Sequence, residues 1–202
     1  NCSHPDIEQF ITIKKDLSKV TGANISIKLS DEFMRAVEEK SDFVLRWPTN
    51  VKPEEALTTK TVSATDLWDK IVQAAWESAE PGLLFWDTYQ KMSPADIYSA
   101  EGFETVSTNP CAELGLPPYD SCRLILINLM KFVRNPFTPD AYFDFSAFDV
   151  ASAKMQRLMD DLVDLEIEIV DKIISKVESD PEPEDVKAVE LTLWKKIRKR
   201  TN

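Results

Sequence analysis

The sequence predicts a mixed α/β fold in which helices make up the larger part. Residues 82–86 and 123–132 are continuous apolar runs, which is the composition of strands covered on both faces. From Phe148 onwards, apolar residues recur at spacings of three and four over about thirty residues, the period of an amphipathic helix. With 202 residues, 43% of them hydrophobic, the chain is long enough to bury a core. We therefore expect buried strands with helices packed against them.

Short helices and strands alternate in the N-terminal part of the prediction. A helix begins near Asp6, and residues 24–29 alternate between apolar and polar as a strand does. Residues 42–47 predict another short strand, and 48–64 a polar connection without regular structure. The apolar positions of the first helix are Ile7, Phe10, Ile11 and Leu17.

Two further amphipathic helices are predicted around that connection. Residues 31–40 form the first, with Ser30 as its N-cap, and residues 65–78 form the second. Their apolar faces are Phe33, Met34 and Val37 in one and Leu67, Trp68, Ile71 and Ala75 in the other. Stripes of this kind are typical of core packing rather than of a cofactor site.

The C-terminal part is predicted to be helical on both sides of a proline break. Pro181 and Pro183 end the long helix that begins near Phe148, and a final helix covers 184–199. A basic C-terminal end suits the dipole of that last helix. The apolar positions of the first helix are Met155, Leu158, Met159, Leu162, Leu165, Ile169 and Ile173, and the residues expected to face inward in the second are Val186, Val189, Leu193 and Ile197.

The chemistry of the chain is concentrated between the two apolar runs. There Asn109, Cys111 and Glu113 occupy alternate positions around Pro110, and Cys122 follows. Proline favours a loop over a helix, and in an extended segment the three side chains would point towards one ligand. A thiol, a carboxylate and a carboxamide could then act as nucleophile or radical carrier, general base and orienting group. By itself the pentapeptide is equally compatible with a turn that has a buried cysteine and a solvated glutamate.

Several motifs around this loop follow one another in a specific order and spacing. They are Glu80-Pro81-Gly82-Leu83-Leu84-Phe85-Trp86-Asp87, Gly102-Phe103, Ser107-Thr108-Asn109-Pro110-Cys111-Ala112-Glu113, and Pro118-Tyr119-Asp120-Ser121-Cys122-Arg123-Leu124 running into Ile127-Asn128-Leu129. Together they closely resemble the catalytic domain of ribonucleotide reductases, in particular the adenosylcobalamin-dependent class II enzymes. Weaker similarity in 4–11, in 30–34 and after Phe148 extends the resemblance over nearly the full chain.

The resemblance implies where the chain belongs in a larger enzyme. Residues 1–202 would be an internal fragment of the catalytic (large) subunit, a part of its ten-stranded α/β barrel. The central finger loop of that barrel would be about 104–122, and a helical segment about 146–200. The implied reaction converts ribonucleotides, as di- or triphosphates, to 2′-deoxyribonucleotides for DNA synthesis. Adenosylcobalamin would be the cofactor of the parent enzyme.

The resemblance also implies roles for individual residues. Cys111 matches the cysteine that becomes a thiyl radical and removes the ribose 3′ hydrogen. Glu113 matches the carboxylate that takes the 3′-hydroxyl proton, and Asn109 matches the residue that hydrogen-bonds the substrate hydroxyls. Cys122 matches one half of the dithiol that reduces the 2′ position. The other half lies upstream of this segment in the family, and Cys2 is not at the matching place.

Further expectations concern the surroundings of these residues. Ser107 and Thr108 are implied to bind substrate beside the loop. The family usually has Gly where this chain has Ala112, an exchange that would constrain the loop slightly. Radical chemistry calls for a buried, dry thiol, whereas a reducing dithiol cycles through a disulfide. We therefore do not expect Cys111 and Cys122 to be bonded to each other.

The composition favours a segment of a larger protein over a self-contained enzyme. Gly accounts for only 4 of 202 residues, and neither a GxGxxG nor a GxxxxGK pattern is present to bind phosphates. We expect the isolated segment to be inactive and the activity to belong to the parent. Two alternatives remain open: a class I large-subunit fragment, and a non-catalytic helical interaction module with incidental cysteines.

Charge and cysteine usage limit the partners. The net charge of −11 argues against nucleic-acid binding, although a basic cluster lies in 195–200. No apolar run approaches the roughly 20 residues that span a membrane, and three cysteines without a disulfide framework suit a reducing cytoplasm. A single histidine, His4, predicts no metal site. The implied partners are the ribonucleotide substrate, nucleotide effectors and a thioredoxin-type reductant, and a homodimer is left open.

Overall fold

Helices and short strands alternate up to Pro118, and two long helices dominate the rest of the chain. The computed structural model describes residues 1–16, 18 and 20–201, so that Leu17, predicted as part of the first helix, lies outside the described residues. The chain divides into two compact units, Asn1–Pro118 (unit 1) and Tyr119–Asn202 (unit 2). The predicted mixture of helix and strand is confirmed.

Unit 1 contains four α-helices and six strands among its described residues. Short 3-10 helices at Ile13–Lys15, Pro53–Glu55 and Pro94–Glu101 complete it. In chain order the elements are α1 (Ile7–Thr12), β1 (Ser26–Leu29), α2 (Asp31–Glu38), β2 (Asp42–Trp47), β3 (Thr58–Ser63), α3 (Ala64–Ser78), β4 (Gly82–Phe85), α4 (Trp86–Met92), β5 (Ser107–Thr108) and β6 (Gly115–Leu116).

The strands of unit 1 form three separate two-stranded sheets. β1 and β4 run parallel, with Ser26 opposite Gly82, whereas β2 pairs antiparallel with β3 and β5 with β6. No closed sheet is found among the described residues, so a ten-stranded barrel stays a prediction. β3 corrects the prediction for 48–64: its sequence is polar, and its position depends on pairing with β2 rather than on a buried face.

The core of unit 1 is built from the inner faces of these elements. Ile27 and Leu29 on β1 are buried, and alternation along the strand places Lys28 on the opposite face. Cys2 is fully buried in the same cluster. The other core members are Ile7, Ile11, Phe33, Ala36, Phe43, Leu45, Ala64, Leu67, Ile71 and Ala74.

Serine caps explain why two of the helices begin where they do. The Ser30 hydroxyl accepts a hydrogen bond from the Phe33 amide at 3.2 Å, and Ser63 does the same for Asp66 at 3.2 Å. Each bond satisfies an amide that the first turn of a helix leaves without a partner. The predicted Ser30 cap is confirmed.

Unit 2 consists of short strands followed by two long helices. A 3-10 helix at Leu129–Phe132 leads into β7 (Val133–Arg134), which pairs antiparallel with β8 (Tyr142–Phe143). Helix α5 (Phe145–Ser179) has 35 residues, and α6 (Glu184–Thr201) has 18. The predicted long helix, its proline break and the final helix are confirmed. None of the described helices is apolar over a length sufficient to cross a membrane.

Three expectations about apolar residues are wrong. Residues 123–132 contain no strand within the described part of the chain, and Leu126 there is 85% exposed. The β4 strand is covered only in part, since Phe85 is half exposed. On α6, Val189 is 72% exposed, and Val186 and Leu193 are also exposed rather than inward. In each case the apolar pattern is present, but the described residues do not cover it.

Candidate functional site

The predicted chemistry lies on a hairpin in unit 1. Ser107 pairs with Leu116 and Thr108 with Gly115, so β5 and β6 bracket the turn 109–114. The prediction of a loop is confirmed, but its extended geometry is wrong. A turn at Pro110 and Cys111 and a φ of 67° at Ala112 reverse the chain. Strand-like alternation therefore does not apply to the side chains of the turn.

Asn109 closes this turn. Its side-chain Oδ1 accepts from the Leu114 amide at 2.9 Å, and its own amide donates to the Leu114 carbonyl at 3.2 Å. Its carbonyl accepts from the Ala112 amide at 3.0 Å. Asn109 is buried, at 7% exposure, so these bonds are shielded from water. The residue thus has a structural function in the turn, whatever else it binds.

Ala112 occupies the left-handed region of backbone space. A residue with a Cβ adopts this conformation at a cost of about 1 kcal/mol, whereas glycine does so freely. The constraint expected from alanine in place of glycine is therefore this left-handed backbone conformation. The folded chain thus maintains a backbone conformation at Ala112 that alanine by itself does not favour.

Cys111 and Glu113 lie beside different grooves. Cys111 and Pro110 line a groove of about 370 Å³ that also borders Ser26 and Glu80. Glu113 lines a larger groove of about 740 Å³, whose other walls include Leu84. Ala112 borders both grooves, so the thiol and the carboxylate flank the turn without converging on one cavity.

The described residues do not bury the reactive groups. Cys111 and Glu113 are exposed, as is Ser107, whereas Thr108 is half-buried. The expectation of a buried, dry thiol is therefore wrong for this chain, because the turn projects beyond the side chains that hold its base. All three cysteines are free.

A buried polar network fixes the base of the hairpin. Thr105 is fully buried, and its hydroxyl donates to Asp96 Oδ2 at 2.5 Å while its amide donates to Asp96 Oδ1 at 3.0 Å. Gln90 Nε2 donates to the Thr105 carbonyl at 3.1 Å. Burial by itself would raise the pKa of Asp96, but the hydrogen bonds from Thr105 and Ser93 outweigh it and lower that pKa. The Asp96 carboxylate is thus the acceptor of the hydrogen bonds that fix Thr105.

Two residues from outside the loop, Lys28 and Tyr89, donate hydrogen bonds to backbone carbonyls of the hairpin. Lys28 Nζ donates to the Val106 carbonyl at 2.5 Å and lies 3.5 Å from the centroid of the Trp86 ring. Tyr89 Oη donates to the Ala112 carbonyl at 3.1 Å. Desolvation lowers the pKa of Lys28. Sequence reasoning missed both residues. Tyr89 lies two residues after the motif segment that ends at Asp87, whereas Lys28 lies on β1, far from that segment in the sequence.

Gly115 allows the hairpin to approach its support. A Cβ at this position would lie 2.8 Å from Tyr89 Cε1 and 2.9 Å from Thr105 Cγ2, closer than such atoms pack. The absence of a side chain is thus required by the packing of the hairpin against α4 and its polar base.

Cys122 lies in unit 2 and is half-buried. Glu166 on α5 holds both of its neighbours: it accepts from the Ser121 hydroxyl at 3.1 Å and forms an ion pair with Arg123. The backbone segment that carries Cys122 is therefore attached to α5 on both sides of the cysteine. Sequence reasoning assigned Cys122 a redox function but did not identify Glu166.

The described residues offer little for a metal or a corrin. No group of three or more His, Cys, Asp or Glu side chains that could hold a metal ion occurs among them. His4, the one histidine in the sequence, accepts a hydrogen bond from the Asp6 amide at 3.0 Å through Nδ1. The grooves beside the turn are sized for a small molecule, not for a cobalamin macrocycle. We assign no residue of this chain to binding such a group.

Comparisons with known proteins agree on one relationship. A family model described as the ribonucleotide reductase barrel domain matches residues 1–180. A vitamin B12-dependent ribonucleoside-diphosphate reductase of Thermoplasma acidophilum is 34% identical over 165 residues, 81% of this chain and 20% of the relative. The Mycobacterium tuberculosis protein of that name is 33% identical over 164 residues, 81% of this chain and 22% of the relative.

A vitamin B12-dependent ribonucleotide reductase of Bradyrhizobium diazoefficiens is 38% identical over 127 residues, covering 63% of this chain and 9% of that protein. The chain thus spans about a fifth, or less, of the length of these curated relatives. The matched region contains the hairpin with Cys111 and the segment with Cys122.

Proposed function

The chain belongs to the family of the ribonucleotide reductase barrel domain, and on that premise we propose that it supplies the radical-bearing loop of a reductase that converts ribonucleotides to 2′-deoxyribonucleotides. The observation that carries the proposal is the pinned turn, which presents an exposed cysteine thiol within a family match covering residues 1–180. Because relatives bear the name vitamin B12-dependent, we infer the cobalamin-using class rather than class I. The family match over residues 1–180 favours a reductase fragment over a non-catalytic helical module.

In the proposed reaction, Cys111 begins as a thiyl radical and takes the 3′ hydrogen atom of the ribose. Glu113 accepts the 3′-hydroxyl proton while the 2′-hydroxyl takes a proton from one of the reducing thiols and leaves as water. Glu113 returns its proton to the 3′ oxygen at the end of the cycle. Two thiols, one of them Cys122, deliver two electrons and two protons, one proton to the departing water and one to C2′, and become a disulfide. Cys111 then returns its hydrogen atom to C3′ and is a radical again. The balance is one ribonucleotide and one dithiol to one deoxyribonucleotide, one disulfide and one water.

The cofactor enters this proposal only as the source of the radical. Bound in the parent enzyme, adenosylcobalamin would supply a one-electron oxidant for the Cys111 thiol. Exposure of Cys111 at the turn fits an oxidant held by other parts of the parent, since the described residues form no site for a corrin. The chain's own contribution is to hold the thiol and the neighbouring carboxylate in place.

Asn109 has a narrower function in this proposal than the sequence implied. Its Oδ1 is committed to the Leu114 amide, so the side-chain Nδ2 is the group that can donate to a substrate hydroxyl. Ser107 is exposed and Thr108 half-buried beside the turn, where their hydroxyls can assist. Cys2 is unsuited to be the second reducing thiol, because it is fully buried in the core and burial raises its pKa.

Other parts of the proposal concern the parent enzyme. We place β1 and β4 in its larger barrel, where further strands would continue the parallel pair. A thioredoxin-type reductant would regenerate the Cys122 dithiol in the cytoplasm, and nucleotide effectors and a second subunit would act through regions beyond this chain. We expect the 202-residue chain alone to be inactive, because Cys122 has no suitable second thiol within it for the reducing pair.

Substitution of Cys111 in the parent enzyme tests the proposal. Cys111→Ser should lower cobalamin-dependent nucleotide reduction at least about a thousandfold, because serine cannot carry the radical. Glu113→Gln should also impair turnover, whereas Glu104→Gln, an exposed carboxylate before the hairpin, is the matched control. Retained turnover in Cys111→Ser would refute the proposal. Turnover that needs a metal-containing partner subunit instead of cobalamin would place the parent in class I.

A further inference from the structure

We propose that Tyr89 is a positioning residue of this site, whose hydroxyl holds the turn that carries Cys111 and Glu113. The expected effect of Tyr89 on turnover rests on the proposed function, whereas its hydrogen bond to the turn does not. Tyr89 lies on α4, two residues after the motif segment that ends at Asp87.

The Tyr89 hydroxyl is hydrogen-bonded to the backbone of the turn, between Cys111 and Glu113. Tyr89 Oη donates at 3.1 Å to the carbonyl of Ala112, the residue between the thiol and the carboxylate. That carbonyl belongs to the peptide joining Ala112 to Glu113. Because Ala112 has a φ of 67°, the local backbone does not favour this arrangement, and an external hydrogen bond helps to maintain it.

The ring of Tyr89 is itself held rigidly. It stacks on Trp86 with a centroid distance of 5.9 Å and an interplanar angle of 10°. Its Cε1 atom lies so close to Gly115 that a Cβ there would approach to 2.8 Å. A hydroxyl on a ring fixed at two places defines a position for its acceptor, whereas a mobile side chain would follow the loop.

The same aromatic stack holds the hairpin at a second point. The Lys28 ammonium lies 3.5 Å from the Trp86 ring centroid and donates at 2.5 Å to the Val106 carbonyl, just before β5. Lys28, Trp86 and Tyr89 thus form a continuous support from β1 to the tip of the turn. We refer to these three residues as the aromatic support.

The ionisation state of Tyr89 suits a hydrogen-bond donor. Burial and, next, the negative charge of Glu113 raise its pKa, so the phenol remains protonated at neutral pH and above. Tyr89 also lines the groove beside Glu113, so a shift of its ring would alter the space next to that carboxylate. Both features favour positioning over proton transfer.

Tyr89→Phe removes the hydroxyl while keeping the ring, and Tyr98→Phe is the matched control on an exposed tyrosine of Pro94–Glu101. Amide hydrogen exchange in the 202-residue chain should become about three- to tenfold faster at Ala112 and Leu114 in Tyr89→Phe, the scale of one lost hydrogen bond. Amides of the β2–β3 pair should be unchanged. In the parent enzyme, kcat should fall about three- to tenfold with KM within about twofold.

Unchanged exchange at Ala112 and Leu114 in Tyr89→Phe would overturn the proposal. So would equal acceleration in the β2–β3 pair, which would indicate general destabilisation, or an unaffected kcat. If Cys111→Ser retains turnover, the proposed function fails, but faster exchange confined to the turn would still support Tyr89 as the residue that holds it. Tyr98→Phe should match the unsubstituted protein in every measurement.

Discussion

Units 1 and 2 have similar apolar patterns but bury them very differently. In unit 1, Phe33 and Ile71 are fully buried in a shared core. In unit 2, Val170 and Val177 are the buried apolar residues of the described part, while Phe137 is 96% exposed. Helical periodicity thus determines that a helix forms, but not that its apolar face is covered.

The comparison bears on the candidate site, because the hairpin belongs to the unit that has its own core. Thr105 at its base is as fully buried as the core residues. Cys122, in contrast, belongs to the unit with a largely uncovered surface. We therefore expect the Cys111 turn to be well ordered in the isolated chain and the surroundings of Cys122 to depend more on other parts of the parent.

The largest expected effect tests the comparison directly. Phe33→Ala should lower the free energy of unfolding of unit 1 by about 3–5 kcal/mol, because it removes a buried ring that packs edge-on against Phe43. Phe137→Ala in unit 2 should change stability by less than about 0.5 kcal/mol. Urea denaturation followed by amide exchange of each unit measures both. Equal losses would show that Phe137 is covered in solution.

A second prediction contrasts a close-packed glycine with an open one. Gly115→Ala should destabilise unit 1 by about 1–3 kcal/mol, because its Cβ would collide with Tyr89 and Thr105. Gly22→Ala is the matched control, since nothing lies within 4 Å of a Cβ there. Thermal unfolding distinguishes them. A tolerated Gly115→Ala would mean that the hairpin is packed less tightly than described.

The third prediction compares the ion pairs of the two units. Hydrogen bonds from Lys60 and then Lys70 lower the pKa of Glu8 from 4.5 to about 2. Its contribution is therefore present above pH 4.5 and is lost as the pH falls towards 2. Glu8→Gln should cost about 1 kcal/mol at pH 7 after solvent screening, and the difference should vanish near pH 2.

Asp161→Asn in unit 2 is the control for Glu8. Asp161 has an i,i+4 pair with Arg157 on a single, solvent-exposed helix face, so its loss should lower stability less than the loss of Glu8 does. Urea unfolding at pH 7 and at acidic pH measures both variants. A pH-independent difference for Glu8→Gln would contradict the assigned ion pairs.

The smallest effect concerns the backbone of the turn. Ala112→Gly should leave stability unchanged or raise it by about 0.5–1 kcal/mol, because relief of the left-handed conformation offsets the entropy of glycine. Ala75→Gly on α3 should instead cost about 1 kcal/mol. Thermal unfolding measures the pair. A clear loss of stability in Ala112→Gly would show that the φ of 67° is not costly to the chain.

Local signals explain which elements could be predicted. Asp42–Trp47 has the predicted bounds, and the start of α2 follows from the Ser30 cap. Elements that depend on distant pairing were missed: β3 is polar and is defined by its neighbour β2. Residues 123–132 have the composition of a buried strand, but composition does not supply the neighbour that a strand requires.

The site was predictable in position but not in geometry. The order of motifs located the loop and its functional residues, whose roles stay predictions. The turn itself depends on the left-handed Ala112 and on the bond from Leu114 to Asn109, which no spacing rule contains. Lys28 and Tyr89 reach the loop from distant parts of the sequence, so only the fold identifies them as its support.

The commitment of Asn109 Oδ1 to the turn has a consequence for how this position can change. An asparagine here serves as a brace through one end of its amide and, in the proposed function, as a donor to the substrate through the other. Aspartate would preserve the brace but bring a negative charge and no donor, and serine would be too short to span the turn. In the proposed function, position 109 must therefore supply both an acceptor for the Leu114 amide and a donor for the substrate. Asn109→Asp separates these two requirements in a single protein, because it keeps the acceptor and removes the donor.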